Sequence, residues 1–545
     1  MKRIVIVGGV AGGMSAATRM RRLDESAEII VLEKSGYVSY ANCGLPYFVG
    51  GVIEKESDLL LQTPESLHIR FRLDVRVKSE VLNIDSAGKS VVVKNLETGA
   101  EYQLQYDKLV LSPGASPIVP NIPGADRAFT LRTVEDVELI AGAVAIKPKS
   151  AVVIGGGFIG VEIAENLRHK GIATAIIEAT AQVLAPLDPE MVSFVHAELL
   201  KQGVALHLSN GVSEIGPDSV TLADGSKIPA DLVIMAIGVR PDTSLAKVAG
   251  LTIGTRGGIE VNEHHQTSNP DIYAIGDAAQ KTDALDGGAT LVPLANLANR
   301  HGRVVADHIA GVKTRTVAAI GTAIVKVFDL TIATTGWNEK RLSAAGMKFL
   351  TIHTHPNSHA GYYPDAKQMS IKLLIEPNTG RILGSQAVGT DGVDKRIDVI
   401  ATAIRAGLTA PELADLELAY APPFSSAKDP VNMLGYISEN VLSGLVSTVD
   451  WSKLEAELAA GAVLIDVRSA SEFANGTIPG AINISVDELR DRKSEIPTGK
   501  LLIVHCQVGQ RGHTAALLLT ELGFTVKNLD GGYRTWRNSP AGSTN

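Results

Sequence analysis

Two widely separated cysteines are the residues of this sequence with the clearest chemical potential. Cys43 lies in the Gly/Pro-marked segment Ser39–Tyr47, and Cys506 lies near the other end of the 545-residue chain. Neither has a neighbouring thiol in the sequence, so a local disulfide is excluded, and two cysteines in so long a chain fit a reducing compartment. We interpret Cys43 as a redox nucleophile, with a buried structural cysteine as the alternative.

The composition excludes several classes of protein. Hydrophobic residues make up 45% and charged residues 20% of the chain, and the net charge is −8. These values predict several globular domains and give no indication of nucleic-acid binding. The first apolar run is too short for a signal peptide, and no run approaches the ~18 residues needed to span a bilayer. We therefore predict a cytoplasmic protein without a nucleic-acid or membrane partner.

The segment before Cys43 has the pattern of a nucleotide-binding βαβ unit. A strand is predicted at Ile4–Val7, and a glycine-rich turn, a helix at Met14–Leu23 and a strand at Ile29–Leu32 follow. In such units the helix N-terminus faces a pyrophosphate, and an acid after the second strand accepts a ribose hydroxyl. Glu33 supplies that acid. Val10 replaces the middle glycine of GxGxxG, so the glycines alone are a weak match.

A second βαβ unit follows with a complete glycine pattern. A strand at residues 151–154 leads into the GxGxxG of residues 155–160, and a helix and a strand at residues 173–177 end at Glu178. A glutamate here accepts the 2′-hydroxyl of NADH and repels the 2′-phosphate of NADPH. Residues 179–180 supply no arginine for that phosphate, so we predict NADH over NADPH.

Two further strands complete a recognisable order of motifs. One runs through residues 109–111 to Ser112, and the other ends at Gly276 and Asp277. In this order the segments resemble the two-dinucleotide-binding-domain flavoproteins of the pyridine nucleotide–disulfide oxidoreductase superfamily. The resemblance implies bound FAD, with Asp277 bonded to its ribityl chain.

The segment around Cys43 indicates one branch of this superfamily. Residues 44–48 contain no second cysteine, so a dithiol relay is excluded. The chain from residue 1 to about 440 resembles the single-cysteine branch of coenzyme A disulfide reductases, persulfide reductases, and NADH oxidases or peroxidases. Residues 39–47 resemble the coenzyme A disulfide reductases most closely. Because Cys43 opens a predicted helix, we expect the free N–H groups there to lower its pKa.

The resemblance implies three sets of binding residues. For FAD they are Gly8, Gly9, Ala11, Gly12, Gly13, Glu33, Lys34, Val81, Ser112, Gly114, Gly276, Asp277, Pro293, Leu294 and Ala295. For NAD(H) they are Gly155, Gly157, Phe158, Ile159, Gly160, Glu162, Glu178 and Gly238. For coenzyme A they are Ser15, Arg19, Arg22, Ser39, Asn42 and Lys428. A solvated helix face remains an alternative for Glu162 and the arginines, and no metal ligand is predicted.

From about residue 322 the pattern changes to alternating strands, with a hairpin turn at residues 378–380. This region resembles the superfamily's dimerisation domain, which implies a homodimer. In the family two tyrosines approach the redox cysteine of the other subunit and can protonate a leaving thiolate. Tyr362 and Tyr420 are the candidates, with Tyr363 as a possible replacement for Tyr362. Without the resemblance, these tyrosines would be read as core aromatics.

The last part of the chain carries the second cysteine. A buried strand is predicted at residues 463–466, and a later strand at residues 501–505 ends at Cys506. Together with the Asp530-Gly-Gly sequence, these segments resemble the rhodanese domain. Successive N–H groups after Cys506 can form an anion nest, and Arg511 adds positive charge, so the loop would stabilise a thiolate or a persulfide.

These assignments give an α/β fold with four parts: two Rossmann-like dinucleotide-binding domains, an α+β dimerisation domain and a C-terminal α/β rhodanese domain. The predicted boundaries are 1–115 with 256–320 for FAD, 116–255 for NAD(H), 321–440 for dimerisation, 441–450 for a linker and 451–545 for rhodanese.

The sequence therefore predicts an FAD-dependent NADH:persulfide or polysulfide reductase that uses Cys43 and coenzyme A, with sulfur transfer at Cys506. The alternatives are a coenzyme A disulfide reductase, and an NADH oxidase or peroxidase that cycles Cys43 through a sulfenic acid. A different alternative makes the tail a binding module that docks a sulfur-carrier protein. The direction of sulfur transfer between the thiols stays open.

Overall fold

A computed structural model describes residues 2–543. These residues form two compact units. The first comprises the chain up to Val183 together with Gly203–Ala319, and the second comprises Leu184–Gln202 together with the chain from Ile320. Among the described residues, no helix is both long enough and apolar enough to cross a bilayer.

The strands, in chain order, are β1 (Arg3–Val7), β2 (Glu28–Leu32), β3 (Asp74–Arg76), β4 (Ser79–Asp85), β5 (Ser90–Asn95), β6 (Glu101–Gln105), β7 (Lys108–Leu111), β8 (Ala115–Pro117), β9 (Phe129–Thr130), β10 (Ser150–Ile154), β11 (Ala173–Ile177), β12 (Ala205–His207), β13 (Val212–Ile215), β14 (Ser219–Leu222), β15 (Lys227–Pro229), β16 (Leu232–Met235), β17 (Val239–Pro241), β18 (Ile272–Ala274), β19 (Lys281–Thr282), β20 (Ala289–Thr290), β21 (Ala323–Val327), β22 (Leu330–Gly336), β23 (Leu350–Thr354), β24 (Ser370–Ile375), β25 (Ile382–Gly389), β26 (Thr448–Val449), β27 (Val463–Asp466), β28 (Ile482–Asn483), β29 (Leu501–His505) and β30 (Thr525–Leu529).

The helices, in chain order, are α1 (Ala11–Leu23), α2 (Leu45–Gly50), α3 (Pro64–Phe71), α4 (Val134–Ala145), α5 (Phe158–His169), α6 (Pro189–Lys201), α7 (Ser244–Val248), α8 (Ala295–Ile309), α9 (Glu339–Ala344), α10 (Val393–Ala406), α11 (Pro430–Leu442), α12 (Trp451–Ala459), α13 (Ala470–Ala474), α14 (Gln510–Glu521), α15 (Gly532–Asn538) and α16 (Pro540–Ser543).

The first unit is built on two parallel sheets with the strand orders β18-β7-β1-β2-β3 and β12-β11-β10-β16-β9. Their central strands are continuous apolar runs because both faces of each sheet are covered. Val5 pairs with Ile30 on one side and with Leu109 on the other, and all three side chains are buried. The same unit contains two three-stranded antiparallel sheets, β4-β5-β6 and β13-β14-β15, and two two-stranded sheets, β17-β8 and β19-β20.

Glycine is required at the two nucleotide turns for steric reasons. Gly8 and Gly155 have φ values of +99° and +105°, which favour glycine. A Cβ atom on Gly13 would lie 1.9 Å from the Gly8 carbonyl oxygen, and one on Gly160 would lie 2.0 Å from the Gly155 carbonyl oxygen. The missing glycine at position 10 therefore does not prevent helix α1 from packing closely on its strand.

The second unit contains an antiparallel sheet, β21-β22-β25-β24-β23, and a parallel sheet, β26-β30-β29-β27-β28. Helices α10 and α11 bury apolar side chains, including Ile397 and Leu434, in the core of the antiparallel sheet. The predicted turn at residues 378–380 joins β24 to β25, so that hairpin prediction is confirmed. The fold class is as predicted, with α/β dinucleotide-binding sheets and a terminal α/β sheet, whereas the exact domain boundaries stay a prediction.

Candidate active site around two cysteines

The segment that carries Cys43 is tied to the first nucleotide turn. The Ser39 N–H donates to the Gly9 carbonyl oxygen at 2.8 Å, and the Ala41 N–H donates to the Leu59 carbonyl oxygen at 2.8 Å. Cys43 then lies in a short 3₁₀ turn, Asn42–Gly44, that runs directly into α2. Its thiol is free and open to solvent. The alternative of a buried structural cysteine is therefore wrong.

The electrostatic surroundings of Cys43 differ from those predicted. Partial desolvation and the nearby carboxylates of Glu162 and Asp277 raise the pKa of the Cys43 thiol. The sequence predicted a lowered pKa from the N-terminus of α2. That prediction is wrong for this structure, because desolvation and two acidic neighbours outweigh the few free N–H groups of a six-residue helix. Cys43 is a thiol at neutral pH here, and it needs a proton acceptor to become nucleophilic.

Glu162 is a suitable proton acceptor. Burial raises the pKa of Glu162 to about 7, and the hydroxyl of Tyr47 donates to its Oε1 atom at 3.1 Å. Tyr47 lies one turn after Cys43, and α2 packs against α5 so closely that a Cβ atom on Gly50 would lie 1.9 Å from Asn166 Oδ1. Glu162 is thus half-buried rather than part of a solvated helix face. Sequence reasoning did not assign Tyr47 a role, although its spacing from Cys43 is that of one helical turn.

Glu33 and Glu178 occupy equivalent positions in the two nucleotide units. Glu33 accepts the N–H groups of Gly9 at 2.7 Å and Ser35 at 2.9 Å. Glu178 accepts the N–H groups of Gly156 and Thr180, both at 2.8 Å. Each carboxylate therefore holds its own glycine turn in shape, at the edge of the sheet where the nucleotide of a βαβ unit binds.

The residues predicted for FAD converge on the carboxyl edge of the first sheet. They are the turn at residues 8–13, residues 33–34 after β2, Ser112 and Gly114 after β7, and residues 276–277 after β18. Residues 293–295 lie at the start of α8, which packs against α1. Val81 lies in β4, which begins beside Glu33 because the Ser79 N–H donates to the Glu33 carbonyl oxygen at 2.9 Å.

Asp277 is supported by a lysine that the sequence did not indicate. Burial raises the pKa of Asp277, and the charges of Lys281 and Arg132 oppose that shift. The Lys281 ammonium donates to the carbonyl oxygens of Gly276 at 2.8 Å and Ala279 at 3.1 Å. Lys281 therefore fixes the turn that carries Asp277.

The residues predicted for NAD(H) also converge. Gly155, Gly157, Phe158, Ile159 and Gly160 form the turn and the first turn of α5, and Glu178 follows β11. Gly238 follows β16, and the neighbouring Ala236 carbonyl oxygen is 2.4 Å from the position of a Cβ atom on Gly155.

The residues predicted for coenzyme A fall into three groups. Ser15, Arg19 and Arg22 lie on one face of α1, and Ser39 and Asn42 flank Cys43. Lys428 lies in the second compact unit, where its ammonium is 5.8 Å from the centre of the Tyr436 ring.

The arginines on α1 already have partners within the first unit. Arg19 Nε donates to Asp307 Oδ1 at 2.7 Å, and only 24% of the Arg19 side chain is exposed. The Arg22 guanidinium lies 5.9 Å from the centre of the Phe71 ring. Arg19 is therefore a half-buried ion pair rather than a freely solvated side chain.

The predicted tyrosines lie in the second unit and form a pair. The hydroxyls of Tyr362 and Tyr420 are 3.0 Å apart, and the two residues are 77% and 48% exposed. The alternative that they are core aromatics is therefore wrong. Tyr363 instead packs edge-on against His359, with ring centres 5.6 Å apart.

The loop that begins at Cys506 is braced by a glycine turn. The Cys506 carbonyl oxygen accepts the Tyr533 N–H at 2.8 Å, and the Gln507 carbonyl oxygen accepts the Arg534 N–H at 2.9 Å. Gly532 must be glycine, because its φ is +64° and a Cβ atom would lie 2.4 Å from the Cys506 carbonyl oxygen. Cys506 itself is fully buried, at the point where β29 passes into the loop before α14.

Arg511 is held by a glutamate that the sequence analysis missed. Its guanidinium forms a bidentate pair with Glu472, with N···O distances of 2.7 and 2.6 Å, and this pair lowers the pKa of Glu472 to about 2. The pair with Glu472 raises the pKa of Arg511, and the Cys506 side chain adds to that shift. The capping sequence Ser469-x-x-Glu472 was the available signal for this glutamate.

Arg468 supports the same loop from another side. It is paired with the buried carboxylate of Asp466 at 2.7 Å, and its Nη1 atom donates to Gln507 Oε1 at 3.0 Å. Its guanidinium also lies 4.4 Å from the centre of the Tyr533 ring. The loop after Cys506 is thus fixed by both backbone and side-chain contacts.

Family models match three parts of the chain. Residues 2–302 match the model described as pyridine nucleotide-disulphide oxidoreductase, residues 322–430 match the dimerisation domain of the same group, and residues 450–539 match the rhodanese-like domain.

Curated relatives cover most of the chain. A coenzyme A disulfide reductase of Staphylococcus haemolyticus is 35% identical over 440 residues, which are 80% of this chain and 99% of that protein. One from Staphylococcus aureus is 36% identical, with the same coverage.

Solved structures cover the chain more fully. Reduced CoADR-RHD from Bacillus anthracis has a TM-score of 0.97 and 50% identity, and the match covers 98% of both chains. An NAD-dependent persulfide reductase from A. fulgidus has a TM-score of 0.92 and 37% identity, covering 98% of this chain and 100% of that one. A water-forming NADH oxidase from Lactobacillus brevis has a TM-score of 0.78 and 26% identity, covering 82% and 100%.

Proposed function

Because the chain belongs to the pyridine nucleotide-disulphide oxidoreductase family, we propose that it is an FAD-dependent enzyme that uses NADH to reduce persulfides, polysulfides or coenzyme A disulfide at Cys43. Sulfane sulfur passes through Cys506 in this proposal. The observation that carries it is the presence, in one chain, of a free accessible thiol beside a nucleotide turn and a second thiol in a braced loop.

The residues present fit two dinucleotides. In α1 the first N–H that bonds within the helix is that of Met14, to Val10, and in α5 it is that of Val161, to Gly157. No side chain caps either helix, so the N–H groups of the first helical residues, 11–13 and 158–160, are available to a pyrophosphate. The residues at 8–13 and 33 would hold FAD, and those at 155–160 and 178 would hold NADH. Bound FAD supplies the transfer of two electrons from NADH to sulfur.

The chemistry of the chain's own residues begins with a proton transfer. Glu162 accepts the proton of Cys43, since burial tunes its pKa to about 7 and it lies near the thiol. The Cys43 thiolate attacks a sulfur of the substrate, a mixed disulfide forms, and a thiolate or hydrosulfide leaves. Two electrons then cleave the S–S bond of the mixed disulfide, which returns Cys43 to the thiolate and releases the substrate half as a second thiolate or hydrosulfide.

Substrate binding and product protonation involve the remaining predicted residues. Ser15, Arg19, Arg22, Ser39, Asn42 and Lys428 are assigned to coenzyme A phosphates and polar groups. Tyr362 and Tyr420, whose hydroxyls form a pair, are assigned to protonation of the leaving thiolate in the partner of a homodimer. The match of residues 322–430 to a dimerisation domain supports that assembly.

The proposal is tested by measuring NADH oxidation and sulfide release together with coenzyme A persulfide or polysulfide as substrate. We expect the two rates to match, and we expect Cys43→Ser to abolish both. Full turnover by Cys43→Ser would show that the mechanism is wrong. NADPH should be the poorer reductant, since Glu178 repels a 2′-phosphate; a clear preference for NADPH would contradict that assignment.

A second candidate is an NADH oxidase or peroxidase that cycles Cys43 through a sulfenic acid. The structural likeness to the NADH oxidase of Lactobacillus brevis favours it. Rapid NADH consumption with oxygen or peroxide, without any sulfur substrate, would support this candidate against the first.

A further inference from the structure

His353 on β23 is a buried imidazole with a carboxylate on each nitrogen. Its Nδ1 atom is 2.6 Å from Asp530 Oδ2, its Nε2 atom is 3.0 Å from Glu190 Oε1, and the residue is 3% exposed. Burial lowers the pKa of His353, but the two carboxylates outweigh it and raise the pKa to about 10. His353 is therefore an imidazolium that donates to both carboxylates at neutral pH. All of these residues lie within the second compact unit.

The ionic contacts continue beyond Glu190. The fully buried ammonium of Lys372 contacts Glu190, and it lies 2.8 Å from Asp188 and 2.7 Å from Glu339. The two cations, on β23 and β24, thus alternate with carboxylates at the start of α6, at the start of α9 and directly after β30. These carboxylates do not require a metal ion. The Lys372 ammonium contacts Asp188, Glu190 and Glu339, and both ring nitrogens of His353 already contact carboxylates.

Asp530 begins the turn that braces the Cys506 loop. Both of its carboxylate oxygens accept the His353 backbone N–H, at 3.1 and 3.0 Å. Three residues later the Tyr533 N–H holds the Cys506 carbonyl oxygen, and the Arg534 N–H holds that of Gln507. One short segment therefore contacts His353 with one end and the reactive loop with the other.

Gly531 shows how tightly this segment is fitted. Its φ is +65°, and a Cβ atom there would lie 2.7 Å from His353 Cβ and 2.0 Å from Thr535 Oγ1. The turn cannot shift relative to β23 without breaking the Asp530 contacts. Movement at His353 is therefore transmitted to the backbone that carries Cys506.

Other contacts join the same surfaces without involving Asp530. His355, two residues further along β23, has its Nε2 atom 2.8 Å from Thr535 Oγ1. Arg534 donates to Gln368, and its guanidinium lies 5.3 Å from the centre of the Phe194 ring. His355 is also buried, but its two ring nitrogens contact hydroxyl groups and not carboxylates. It is therefore a matched control for His353.

We propose that His353 is a positioning residue for sulfur transfer at Cys506: its imidazolium fixes Asp530, and Asp530 fixes the turn whose N–H groups orient the reactive loop. The inference rests on the proposed role of Cys506. In the reaction used to test it, the Cys506 thiolate takes the outer sulfur of thiosulfate and releases sulfite. Cyanide then removes that sulfur as thiocyanate and restores the thiolate.

The experiment uses the full chain with FAD. Thiocyanate formation from thiosulfate and cyanide is measured for the wild type, His353→Gln and His355→Gln. The apparent pKa of Cys506 is measured from the pH dependence of iodoacetamide alkylation in a Cys43→Ser background. NADH-dependent reduction of coenzyme A disulfide at Cys43 serves as the control for folding.

We expect His353→Gln to lower kcat/KM for thiosulfate about tenfold or more and to shift the Cys506 alkylation profile, whereas His355→Gln changes both less than about threefold. Asp530→Asn removes the same ion pair from the other side and keeps the inference testable if His353→Gln does not fold. It should give the same loss, and the double variant should lose no more than either single variant.

An unchanged alkylation profile in folded His353→Gln or Asp530→Asn would overturn the inference, even if unfolding occurred at a lower temperature. A wild type that transfers no sulfur would instead contradict the proposed role of Cys506. The alkylation profile would still decide whether His353 positions the loop.

Discussion

The two thiols of this chain occupy opposite kinds of environment. Cys43 is accessible and lies near the carboxylates of Glu162 and Asp277, which raise its pKa. Cys506 is fully buried in a loop that is held by backbone N–H groups and approached by Arg511. Acidic side chains therefore neighbour the first thiol, whereas the second lies in a loop whose backbone carbonyl oxygens accept N–H groups of another segment. This contrast is consistent with the proposed division of roles, in which Cys43 carries the redox step and Cys506 the sulfur transfer.

Removing each thiol separately is the strongest test of whether the two thiols have separate activities. Cys506→Ser should abolish thiosulfate:cyanide transfer, by about 10³-fold or more, because no nucleophile remains. It should leave NADH-dependent reduction of coenzyme A disulfide within about twofold. Cys43→Ser should give the reverse pattern. Loss of both activities in either variant would mean that the two thiols act in one obligatory reaction.

The ionic contacts of His353 should make the stability of the chain depend on pH. Its pKa is about 10 in the folded protein and ~6.5 when unfolded, so its stabilisation is complete below pH 6.5 and is lost as pH rises through 10. The free energy of unfolding of the wild type should therefore fall towards that of His353→Gln over this range, by up to about 1.4 kcal/mol per pH unit. Urea unfolding at pH 6.5, 8 and 10 measures the difference.

His355→Gln is the control for that series. Burial lowers the pKa of His355 well below its usual value, so this imidazole is neutral throughout the same pH range. Its difference from the wild type should stay constant. If the difference in free energy of unfolding between the wild type and His353→Gln stays constant or grows as the pH rises, His353 is not held as an imidazolium.

The Glu162→Gln variant tests how the Glu162 carboxylate affects the pKa and the turnover of Cys43. Loss of a negative charge near the thiol removes repulsion from the thiolate, so the apparent pKa of Cys43 should fall by about 0.5–1 unit. At pH 7 this gives alkylation that is about three to ten times faster in a Cys506→Ser background. NADH-dependent turnover should nevertheless decrease, because the proton acceptor is lost. Glu65→Gln, which changes an exposed glutamate on α3, should alter neither value.

The smallest effect is expected from Tyr47→Phe. The Tyr47 hydroxyl stabilises the charged form of Glu162, so its loss should raise the pKa of Glu162 further above 7, by up to about one unit. The inflection that Glu162 imposes on the Cys43 alkylation profile should move to higher pH. Tyr37→Phe is a matched control, because the Tyr37 hydroxyl also donates to a glutamate, Glu138, at 2.7 Å. A shift in both variants would contradict a specific role of Tyr47.

Local patterns were sufficient to predict the framework. The strand at residues 4–7, the strand at residues 151–154 and the hairpin at residues 378–380 all occur as predicted, because buried runs and turn residues determine them locally. Helix α1 begins at Ala11 rather than Met14, since the helix starts within the glycine turn. The turns at Gly8 and Gly155 could also be located from the sequence, because their backbone conformation favours glycine and the glycine pattern is local.

Contacts between distant segments could not be predicted in this way. Tyr47 reaches Glu162, Arg511 reaches Glu472 and His353 reaches Asp530, and each pair is brought together only by packing. The pKa of Cys43 was predicted in the wrong direction for this reason, because its acidic neighbours come from other elements. The segment at residues 184–202 shows the same limitation: Asp188 and Glu190 bond to Lys372, in the second compact unit.

The tight fit of Gly531 has a consequence for modular exchange. A chimera that carries a different rhodanese module must supply glycine at this position and an acid directly before it, because the space beside His353 admits no side chain. Chimeras that conserve only the cysteine loop should transfer sulfur poorly. Chimeras that also retain the Asp-Gly-Gly turn should recover the sulfur-transfer activity. The junction thus restricts which modules can recombine with this scaffold.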